Sequence, residues 1–273
     1  MFKRGIIGFF IFIFSLIGCK NGEKIKIQLI RNATMKVNYA GQTILIDPML
    51  SQKGAMEPFA GIERNPIVDL PIQIEKILEN VNSVIVTHNH PDHFDKVASD
   101  AISKDVQIFC QQGDEVSRKN EGFKNVTPVE TSFKWKGITI TRVGGIHGSG
   151  KILELMGKVS GFVLQSAGKP TIYWVGDSIW CEEVENVIKK FNPDIIITNS
   201  GGAVIPGFDP ILMDAKQTID LVNAAPKAKI IAVHMESLDH CTVTRDNLRQ
   251  MADQVGISLD RLIIPKDGET VSF

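Results

Sequence analysis

Apolar and polar residues alternate along the first part of the chain that follows residue 24. The alternation runs through IKIQLI, MKVNYA and TILID between Ile25 and Asp47, and a period of two is typical of half-buried strands. This pattern predicts three short antiparallel strands. After Pro71 the period changes, because apolar residues between Ile72 and Leu78 are interspersed with Glu and Lys and predict a short helix.

Over the rest of the chain, compact apolar runs alternate with helical patterns. The runs that predict strands are residues 83–87, 106–109, 137–143, 161–164, 171–175, 194–198 and 229–233. Helices are predicted over residues 182–190, from the capping residue Asp214 to about Asn223, and from Thr244 to about Val255. This alternation predicts an α/β fold that combines antiparallel and crossover connections.

Polar segments follow five of the predicted strands directly. Their sequences are THNHPDHFD, GGIHG, GDS, NSGGA and HMESLDH. Ligand sites of α/β sheets lie beyond the carboxyl ends of the strands. We therefore expect these five segments to form one shared rim.

The first residues are typical of an export signal. Lys3 and Arg4 precede an apolar run over residues 5–18, which is shorter than the roughly 20 residues of a membrane-spanning helix. The run ends in Leu-Ile-Gly-Cys, which resembles the lipobox of bacterial lipoproteins. The resemblance implies a signal peptide over residues 1–18, lipidation of Cys19 and an exported protein anchored to a membrane on the periplasmic or cell-surface side. An ordinary cleaved signal with an incidental cysteine is the alternative.

Composition and charge narrow the class of protein. With 43% hydrophobic and 22% charged residues, the chain can bury a sizeable core, and a formal net charge of -1 gives it no broad attraction to nucleic acid. The absence of a linker-like stretch or repeat predicts a single domain over residues 19–273. Of the remaining cysteines, Cys110 is expected in the core, while Cys181 and Cys241 either pair or act as small buried hydrophobic residues.

The histidines are concentrated in one segment. The chain has six, and His88, His90 and His93 lie within six positions together with Asp92. Imidazole is the commonest protein ligand for divalent transition metals, and carboxylates often accompany it. Alternate residues of this segment can face two nearby points, which predicts two metal positions. Further ligands can come from other strand ends, and the candidates there are His147, Asp177, His234 and His240.

Residues 87–93 resemble the THxHxDH signature of the metallo-β-lactamase superfamily, and the later motifs follow in the same order. The resemblance implies a four-layer αββα sandwich of two mixed sheets flanked by helices. It looks closest to the branch that contains ascorbate-6-phosphate lactonase and N-acylphosphatidylethanolamine phospholipase D. Carried over to this chain, the first metal would be held by His88, His90 and His147, the second by Asp92, His93 and His234, with Asp177 bridging the two.

The resemblance implies a metal-dependent hydrolase. Two divalent cations, zinc by default and manganese or iron as alternatives, would generate a bridging hydroxide that attacks an ester, lactone or phosphodiester of a small-molecule substrate. Asp92 would orient this hydroxide and accept its proton. His240 would either donate a proton to the leaving group or only hydrogen-bond within its loop. The alternative function is a lipid-anchored binding or sensing protein with a structural metal.

Differences from better-known relatives exclude some activities. The main class B β-lactamases lack the Asp-His pair and place a Cys on the second metal, whereas Asp92 and His93 are both present here. Flavodiiron proteins carry a Glu where this chain has His90, together with a flavin domain. Penicillin hydrolysis and the reduction of dioxygen or nitric oxide are therefore disfavoured.

Three segments outside the histidine motif are also candidates for roles at the site. Asp47 is expected to orient the histidine segment through a hydrogen bond. The backbone N–H groups of residues 200–202 either approach a substrate oxyanion or form a tight turn. Residues 49–69 are apolar and Pro-rich enough to act as a lid over the site.

Overall fold

The computed structural model describes residues 24–273, and the predicted signal peptide and Cys19 lie outside this range. The described chain forms fourteen strands and seven helices. In chain order, the strands are β1 (Lys26–Arg31), β2 (Thr34–Tyr39), β3 (Gln42–Ile46), β4 (Ser83–Val86), β5 (Gln107–Cys110), β6 (Asn125–Pro128), β7 (Ser132–Trp135), β8 (Ile138–Val143), β9 (Gly161–Ser166), β10 (Ile172–Trp174), β11 (Ile195–Asn199), β12 (Lys229–Val233), β13 (Leu262–Ile263) and β14 (Thr270–Ser272).

These strands form two mixed sheets of seven strands each. The order is β14-β1-β2-β3-β4-β5-β6 in the first sheet and β13-β12-β11-β10-β9-β8-β7 in the second. In the first sheet the neighbours from β14 to β3 are antiparallel and those from β3 to β6 are parallel. The second sheet repeats this arrangement, antiparallel from β7 to β10 and parallel from β10 to β13. The predicted combination of antiparallel and crossover connections is confirmed.

Most of the helices pack against the outer faces of the sheets. The helices are α1 (Ile74–Leu78), α2 (Lys96–Ala101), α3 (Glu115–Asn120), α4 (Ile152–Met156), α5 (Glu182–Phe191), α6 (Ala215–Ala224) and α7 (Arg245–Gln254). The predicted caps of α6 and α7 are confirmed, since the side chains of Asp214 and Thr244 accept hydrogen bonds from the backbone N–H groups of Gln217 and Asn247. The sequence pattern missed α2, α3, α4, β6, β7, β13 and β14.

Alternation along the strands separates three apolar layers. Ile44 of β3 and Ile197 of β11 point into the cluster between the two sheets. The residues beside them point outward, Leu45 towards the cluster that includes α1 and α2, and Ile196 towards the cluster beneath α5, α6 and α7. The result is the four-layer αββα sandwich that the resemblance implied. Burial of each large aliphatic side chain in these layers contributes about 1.5–3 kcal/mol.

The polar segments predicted to share a rim follow β4, β8, β10, β11 and β12. β4, β10, β11 and β12 have parallel neighbours, and β8 runs in the same direction as β10 because both are antiparallel to β9. The polar segments that follow these strands therefore meet at one edge of the sandwich. Within residues 24–273, no helix is both long enough and apolar enough to cross a bilayer.

Candidate metal centre

The histidine segment begins directly after β4. His88, Asp92 and His93 are buried, and His90 is half-buried. The backbone N–H groups of His93 and Phe94 both donate to the carbonyl oxygen of His90 at 3.1 Å, which closes a tight turn. The turn separates the first two histidines from the Asp-His pair, as the spacing of the motif predicts.

Two adjoining groups of side chains converge at this edge of the sandwich. The first group consists of His88, His90 and His147, and the second of Asp92, His93, Asp177 and His234. Within each group, the donor atoms lie within 4.8 Å of one another. The structure thus brings together all seven side chains that the resemblance assigned as ligands. Their binding of metal in solution stays a prediction.

The four buried imidazoles of the two donor groups are each held by a partner at Nδ1. The contacts are His88 with Thr87 Oγ1 at 3.1 Å, His93 with Asp47 Oδ2 at 3.0 Å, His147 with the Ile211 carbonyl oxygen at 2.8 Å and His234 with Cys241 Sγ at 3.6 Å. Such partners orient each ring so that Nε2 faces the site, where Nε2 of His88 lies 2.8 Å from Nδ1 of His90. Sequence reasoning missed the partners of His147 and His234, because neither contact is local to the histidine motif.

Asp47 orients the histidine segment, as predicted. Its carboxylate is fully buried and accepts hydrogen bonds from the backbone N–H and the hydroxyl of Thr87, both at 2.8 Å, besides its contact with His93. Asp47 adopts a left-handed backbone conformation with φ of 45°. A non-glycine residue in this region is strained, and the strain is maintained here by a dense set of contacts.

Asp177 lies between the two groups. Its Oδ2 is 3.2 Å from Nε2 of His93, 3.4 Å from Nε2 of His147 and 3.8 Å from Nε2 of His88. Its Oδ1 accepts a hydrogen bond from the Asn199 side chain at 2.5 Å. This position suits a carboxylate that bridges two ions, and Asn199 is a supporting residue that sequence reasoning missed.

The donor set fits divalent cations. Nε2 of His93 and Nε2 of His234 are buried and make no aligned hydrogen bond among the described residues. Oδ2 of Asp92 nevertheless lies 3.4 and 3.3 Å from these two nitrogens. Buried polar atoms are nearly always hydrogen-bonded, so imidazole and carboxylate atoms that face one point without such bonds are arranged for a cation. Zinc, manganese and iron all suit these ligands.

The charged side chains of the second group shift one another's pKa values. Burial disfavours the charged form of His234, but Asp177 and Asp92 outweigh this effect and raise its pKa to about 10. The same two carboxylates raise the pKa of His93 against its burial. In return, His93 and His234 outweigh the burial of both carboxyl groups and lower their pKa values. Protons and metal ions therefore compete for these atoms.

A close backbone approach positions His234. Its N–H donates to the Asn32 carbonyl oxygen at 3.0 Å, and its φ is 63°. A Cβ at Gly201 would lie 2.0 Å from the His234 carbonyl oxygen. Only glycine therefore fits at residue 201 with this placement of the ligand loop.

Two of the three backbone N–H groups in the segment after β11 are hydrogen-bonded within the fold. The N–H of Ser200 donates to the Val233 carbonyl oxygen, and that of Gly202 donates to the Met213 carbonyl oxygen, both at 2.9 Å. These N–H groups are already hydrogen-bonded within the fold. Of the two roles considered for residues 200–202, these bonds favour the turn for Ser200 and Gly202.

A cavity of about 330 Å³ adjoins both groups. Its lining residues are Pro58, Phe59, His90, Pro91, Asp92, His147, Met156, Asp177, Ile205, Ile211 and His240. Pro58 and Phe59 belong to the predicted lid segment, which thus forms one wall of the site. His240 lies outside both donor groups, and burial lowers its pKa to about 4.

The cysteines of the described chain are free thiols. Cys110 is buried in the core, as predicted. Cys181 and Cys241 do not pair, and both are half-buried rather than fully buried. The expectation of small buried hydrophobic residues was therefore wrong in part, because Cys241 contacts a site histidine.

Comparisons with known proteins agree with this geometry. Residues 42–235 match the family described as Beta-lactamase superfamily domain. The UPF0173 protein YddR of Bacillus subtilis is 38% identical over 250 residues, which cover 89% of this chain and 98% of that protein. A UPF0173 metal-dependent hydrolase of Chloroflexus aurantiacus is 24% identical over 92% of this chain and 98% of its own length.

Two solved structures resemble the whole described domain. A possible metal-dependent hydrolase from Veillonella parvula is 36% identical with a TM-score of 0.89, over 92% of this chain and 100% of that one. An isothiocyanate hydrolase from Delia radicum gut bacteria is 38% identical with a TM-score of 0.85, over 91% and 98%. The predicted sub-branch stays a prediction. Fold, donor groups and relatives together establish that the chain belongs to the metallo-β-lactamase superfamily and is a metal-dependent hydrolase.

Proposed function

We propose that the protein is a dinuclear hydrolase of small, uncharged and largely apolar electrophiles, namely an ester, a lactone or an isothiocyanate. The observation that carries this proposal is the chemistry of the cavity beside the two donor groups. Six of its lining residues are apolar, namely Pro58, Phe59, Pro91, Met156, Ile205 and Ile211. None of the described residues that line it is a lysine or an arginine.

The lining disfavours the phosphodiester among the substrates that the sequence suggested. Phosphate recognition usually relies on arginine, lysine or free backbone N–H groups. The cavity lining provides no such cation, and the N–H groups of Ser200 and Gly202 are engaged within the fold. A neutral carbonyl or heterocumulene group loses less hydration than a phosphate when it enters such a cavity.

The proposed substrates include an isothiocyanate because a similar protein is described as hydrolysing one. The solved protein described as an isothiocyanate hydrolase is 38% identical to this chain over nearly its full length. An isothiocyanate is small and uncharged, and its central carbon is electrophilic. It therefore has the same chemical character as the ester and lactone substrates that the cavity favours.

In the proposed reaction, the cations and the side chains would have separate roles. Two divalent cations held by the seven side chains would supply Lewis acidity, which lowers the pKa of water and polarises the substrate. Asp92 is placed to accept the proton of the attacking water. His240 is neutral at pH 7, since burial lowers its pKa to about 4. It would therefore assist the leaving group through an N–H hydrogen bond rather than as a preformed imidazolium.

Metal analysis combined with a substrate panel tests this proposal. We expect about two ions per chain and turnover of at least one among phenyl acetate, γ-butyrolactone and benzyl isothiocyanate. Bis(4-nitrophenyl) phosphate should react at least about 100-fold more slowly. Asp92→Asn should abolish turnover, whereas Asp105→Asn, which alters an exposed carboxylate paired with Lys124, should not.

Three results would contradict the proposal. One is less than one ion per chain with a content unaffected by His90→Ala. Another is faster turnover of the phosphodiester than of the neutral substrates. The third is full metal content with no turnover in the panel and an Asp92→Asn variant that changes metal affinity alone, which would support the binding protein with a structural metal.

We also propose that the protein is exported and anchored through a lipid on Cys19. The support is the sequence alone, which places Leu-Ile-Gly-Cys at the end of a short apolar run after Lys3 and Arg4. Mass spectrometry of the N-terminus from membrane fractions tests this. A free Cys19 in a secreted chain would favour the ordinary cleaved signal.

A further inference from the structure

The loop that forms one wall of the cavity is attached to the segment after β12. This rim loop comprises residues 56–67. Met56 and Asn65 exchange backbone hydrogen bonds at 2.6 and 2.9 Å, which closes its neck. At its end, the N–H of Ile67 donates to the Ser237 carbonyl oxygen at 2.9 Å. Phe59, near its tip, packs edge-on against His240 with ring centroids 5.2 Å apart.

The carboxylate of Asp239 binds the backbone at the tip of the rim loop. Asp239 precedes His240, and its two oxygens accept hydrogen bonds from four backbone N–H groups of the loop. The donors are Phe59 at 2.9 Å, Ala60 at 3.0 and 3.2 Å, Ile62 at 3.1 Å and Glu63 at 3.4 Å. These amides have no helix or sheet partners, since the loop is irregular. Hydrogen bonds to an ionised group are roughly twice as strong as neutral ones.

Asn65 completes the attachment in both directions. Its side-chain N–H donates to Asp239 Oδ1 at 2.8 Å, and its side-chain oxygen accepts the Asp239 backbone N–H at 2.8 Å. Asn65 is fully buried. Partial burial would raise the pKa of Asp239, but the bonds from Asn65 and the loop amides outweigh it and keep the pKa below its ordinary value.

We propose that Asp239 is a positioning residue that determines substrate specificity by holding Phe59 against His240 as a fixed wall of the cavity. The wall favours a substrate whose apolar group, an aryl ring for example, packs against Phe59 beside the reacting centre. This inference rests on the proposed function. The sequence suggested that this loop acts as a lid. In this inference the loop is instead a rigid element that determines specificity.

An aspartate at residue 239 is needed for this role because both of its oxygens face donors. Oδ1 faces the N–H groups of Phe59 and Ala60 and the Asn65 amide, while Oδ2 faces those of Ala60, Ile62 and Glu63. In either orientation, an asparagine would direct its own NH₂ at these donors. Asp239→Asn therefore removes about half of the bonds while keeping the shape of the side chain.

The first test measures the loop itself. Loss of charge-assisted hydrogen bonds should speed hydrogen exchange of the loop amides in Asp239→Asn by about 10- to 100-fold, with exchange in the sheets unchanged. Metal content should stay at the wild-type level, because Asp239 belongs to neither donor group. The matched control is Glu57→Gln, which removes an exposed charge that contacts only Arg64 in the same loop and should leave exchange unchanged.

The second test measures specificity. In Asp239→Asn, we expect KM for benzyl isothiocyanate and phenyl acetate to rise about 10-fold, while kcat and the KM of methyl isothiocyanate and methyl acetate change less than about 3-fold. Phe59→Ala should have the same effect. The double variant should be no worse than either single variant, because Asp239 acts through Phe59.

The outcomes separate this inference from the proposed function. Equal KM increases for aryl and methyl substrates, additive effects of the two variants, or loss of metal from Asp239→Asn would each overturn the inference. If the wild-type protein turns over neither these four substrates nor γ-butyrolactone, the proposed function fails. The exchange experiment and the binding of benzyl alcohol as a neutral aryl probe then decide the inference, and unchanged values of both in Asp239→Asn would refute it.

Discussion

Nδ1 of His93 lies 3.0 Å from Oδ2 of Asp47, while Nε2 of the same ring faces Asp177 in the candidate metal centre. Asp47 thus fixes the imidazole through Nδ1, and Nε2 faces the position where a cation would bind. Because Asp47 also accepts two hydrogen bonds from Thr87, one carboxylate sets both the backbone and a side chain of the histidine segment. We therefore expect metal binding to depend on a residue that lies outside both donor groups.

Replacement of Asp47 should weaken metal binding at the second group. Asp47→Asn preserves size but replaces one acceptor oxygen with an NH₂ group. It therefore cannot accept both from the Thr87 backbone N–H at the Oδ1 position and from the Thr87 hydroxyl and His93 at the Oδ2 position. Loss of such a partner typically costs 10- to 100-fold in metal affinity or activity. Competition with a chromophoric chelator measures the affinity. Asp105→Asn is the control, and an Asp47→Asn affinity equal to that of this control would contradict the assignment.

Loss of one ligand from the first group should leave one ion bound. His147 belongs to the first group, and the second group retains all four of its donors when residue 147 is changed. We expect metal content in His147→Ala to fall from two ions per chain to one, and turnover to fall by more than 100-fold, beyond the loss that an outer partner causes. Elemental analysis after gel filtration provides the count. Retention of two ions would show that His147 is not a ligand.

Metal affinity should decrease as pH falls. The pKa of His234 is raised to about 10 when no cation is bound, so at neutral pH a cation must displace a proton from this ring. Each fall in pH below 10 therefore strengthens the proton as a competitor, and affinity rises again as pH is raised. Titration of the metal-free protein should give a higher Kd for the metal at pH 6 than at pH 8, and removal of the metal with EDTA should lower Tm. A Tm that does not respond to chelation at either pH would exclude a metal-linked fold.

The sequence pattern predicted those strands and helices whose formation depends on residues close together in the chain. The β-branched runs of β4, β11 and β12 were found from sequence, because buried parallel strands are continuously apolar, and Asp214 and Thr244 marked the beginnings of α6 and α7. α4 has only five residues, too few to show a helical period. β14 exists through pairing with β1, more than 200 residues away in sequence, and no local pattern encodes such a partner.

The candidate site shows the same division. All seven donor residues could be named because the histidine motif and its strand-end setting are local features. The supporting residues Asn199, Cys241 and Asp239 could not be named, because their roles arise only from tertiary contacts. The turn over residues 200–202 was ambiguous in sequence because its partners, Val233 and Met213, come from other strands and loops.

Cys241 should tune the second group through His234. Its Sγ lies 3.6 Å from Nδ1 of His234, and a thiol is a weak hydrogen-bonding partner. Cys241→Ala should therefore lower metal affinity by about 3- to 10-fold, less than Asp47→Asn. Cys241→Ser, which keeps a polar atom there, should retain most of the affinity. The control is Cys181→Ala, whose thiol contacts Ser178 and no donor residue. Equal affinities for Ala and Ser variants would contradict a role for the polar contact.

Arg31 should be a major contributor to stability because it joins the two stems of the rim loop. These stems are the chain segments before and after the loop, which contain Met49 and Ser51 on one side and Val68 on the other. Its buried guanidinium donates to the carbonyl oxygens of Met49 at 3.0 Å, Ser51 at 2.7 Å and Val68 at 3.0 Å, and burial lowers its pKa to about 10. Arg31→Met would keep the apolar stem and leave these three carbonyl oxygens without their donor.

Leaving buried acceptors unsatisfied costs about 1–3 kcal/mol each, and partial access to water reduces the sum, so we expect Arg31→Met to lower the free energy of unfolding by about 3 kcal/mol. In a protein of this size, that corresponds to a fall in Tm of roughly 6–12 °C. Arg64→Met is the matched control, since Arg64 is an exposed arginine of the rim loop and its loss should cost less than about 1 kcal/mol. Thermal unfolding of metal-saturated proteins measures both, and similar Tm values for the two variants would show that Arg31 does not hold the stems together.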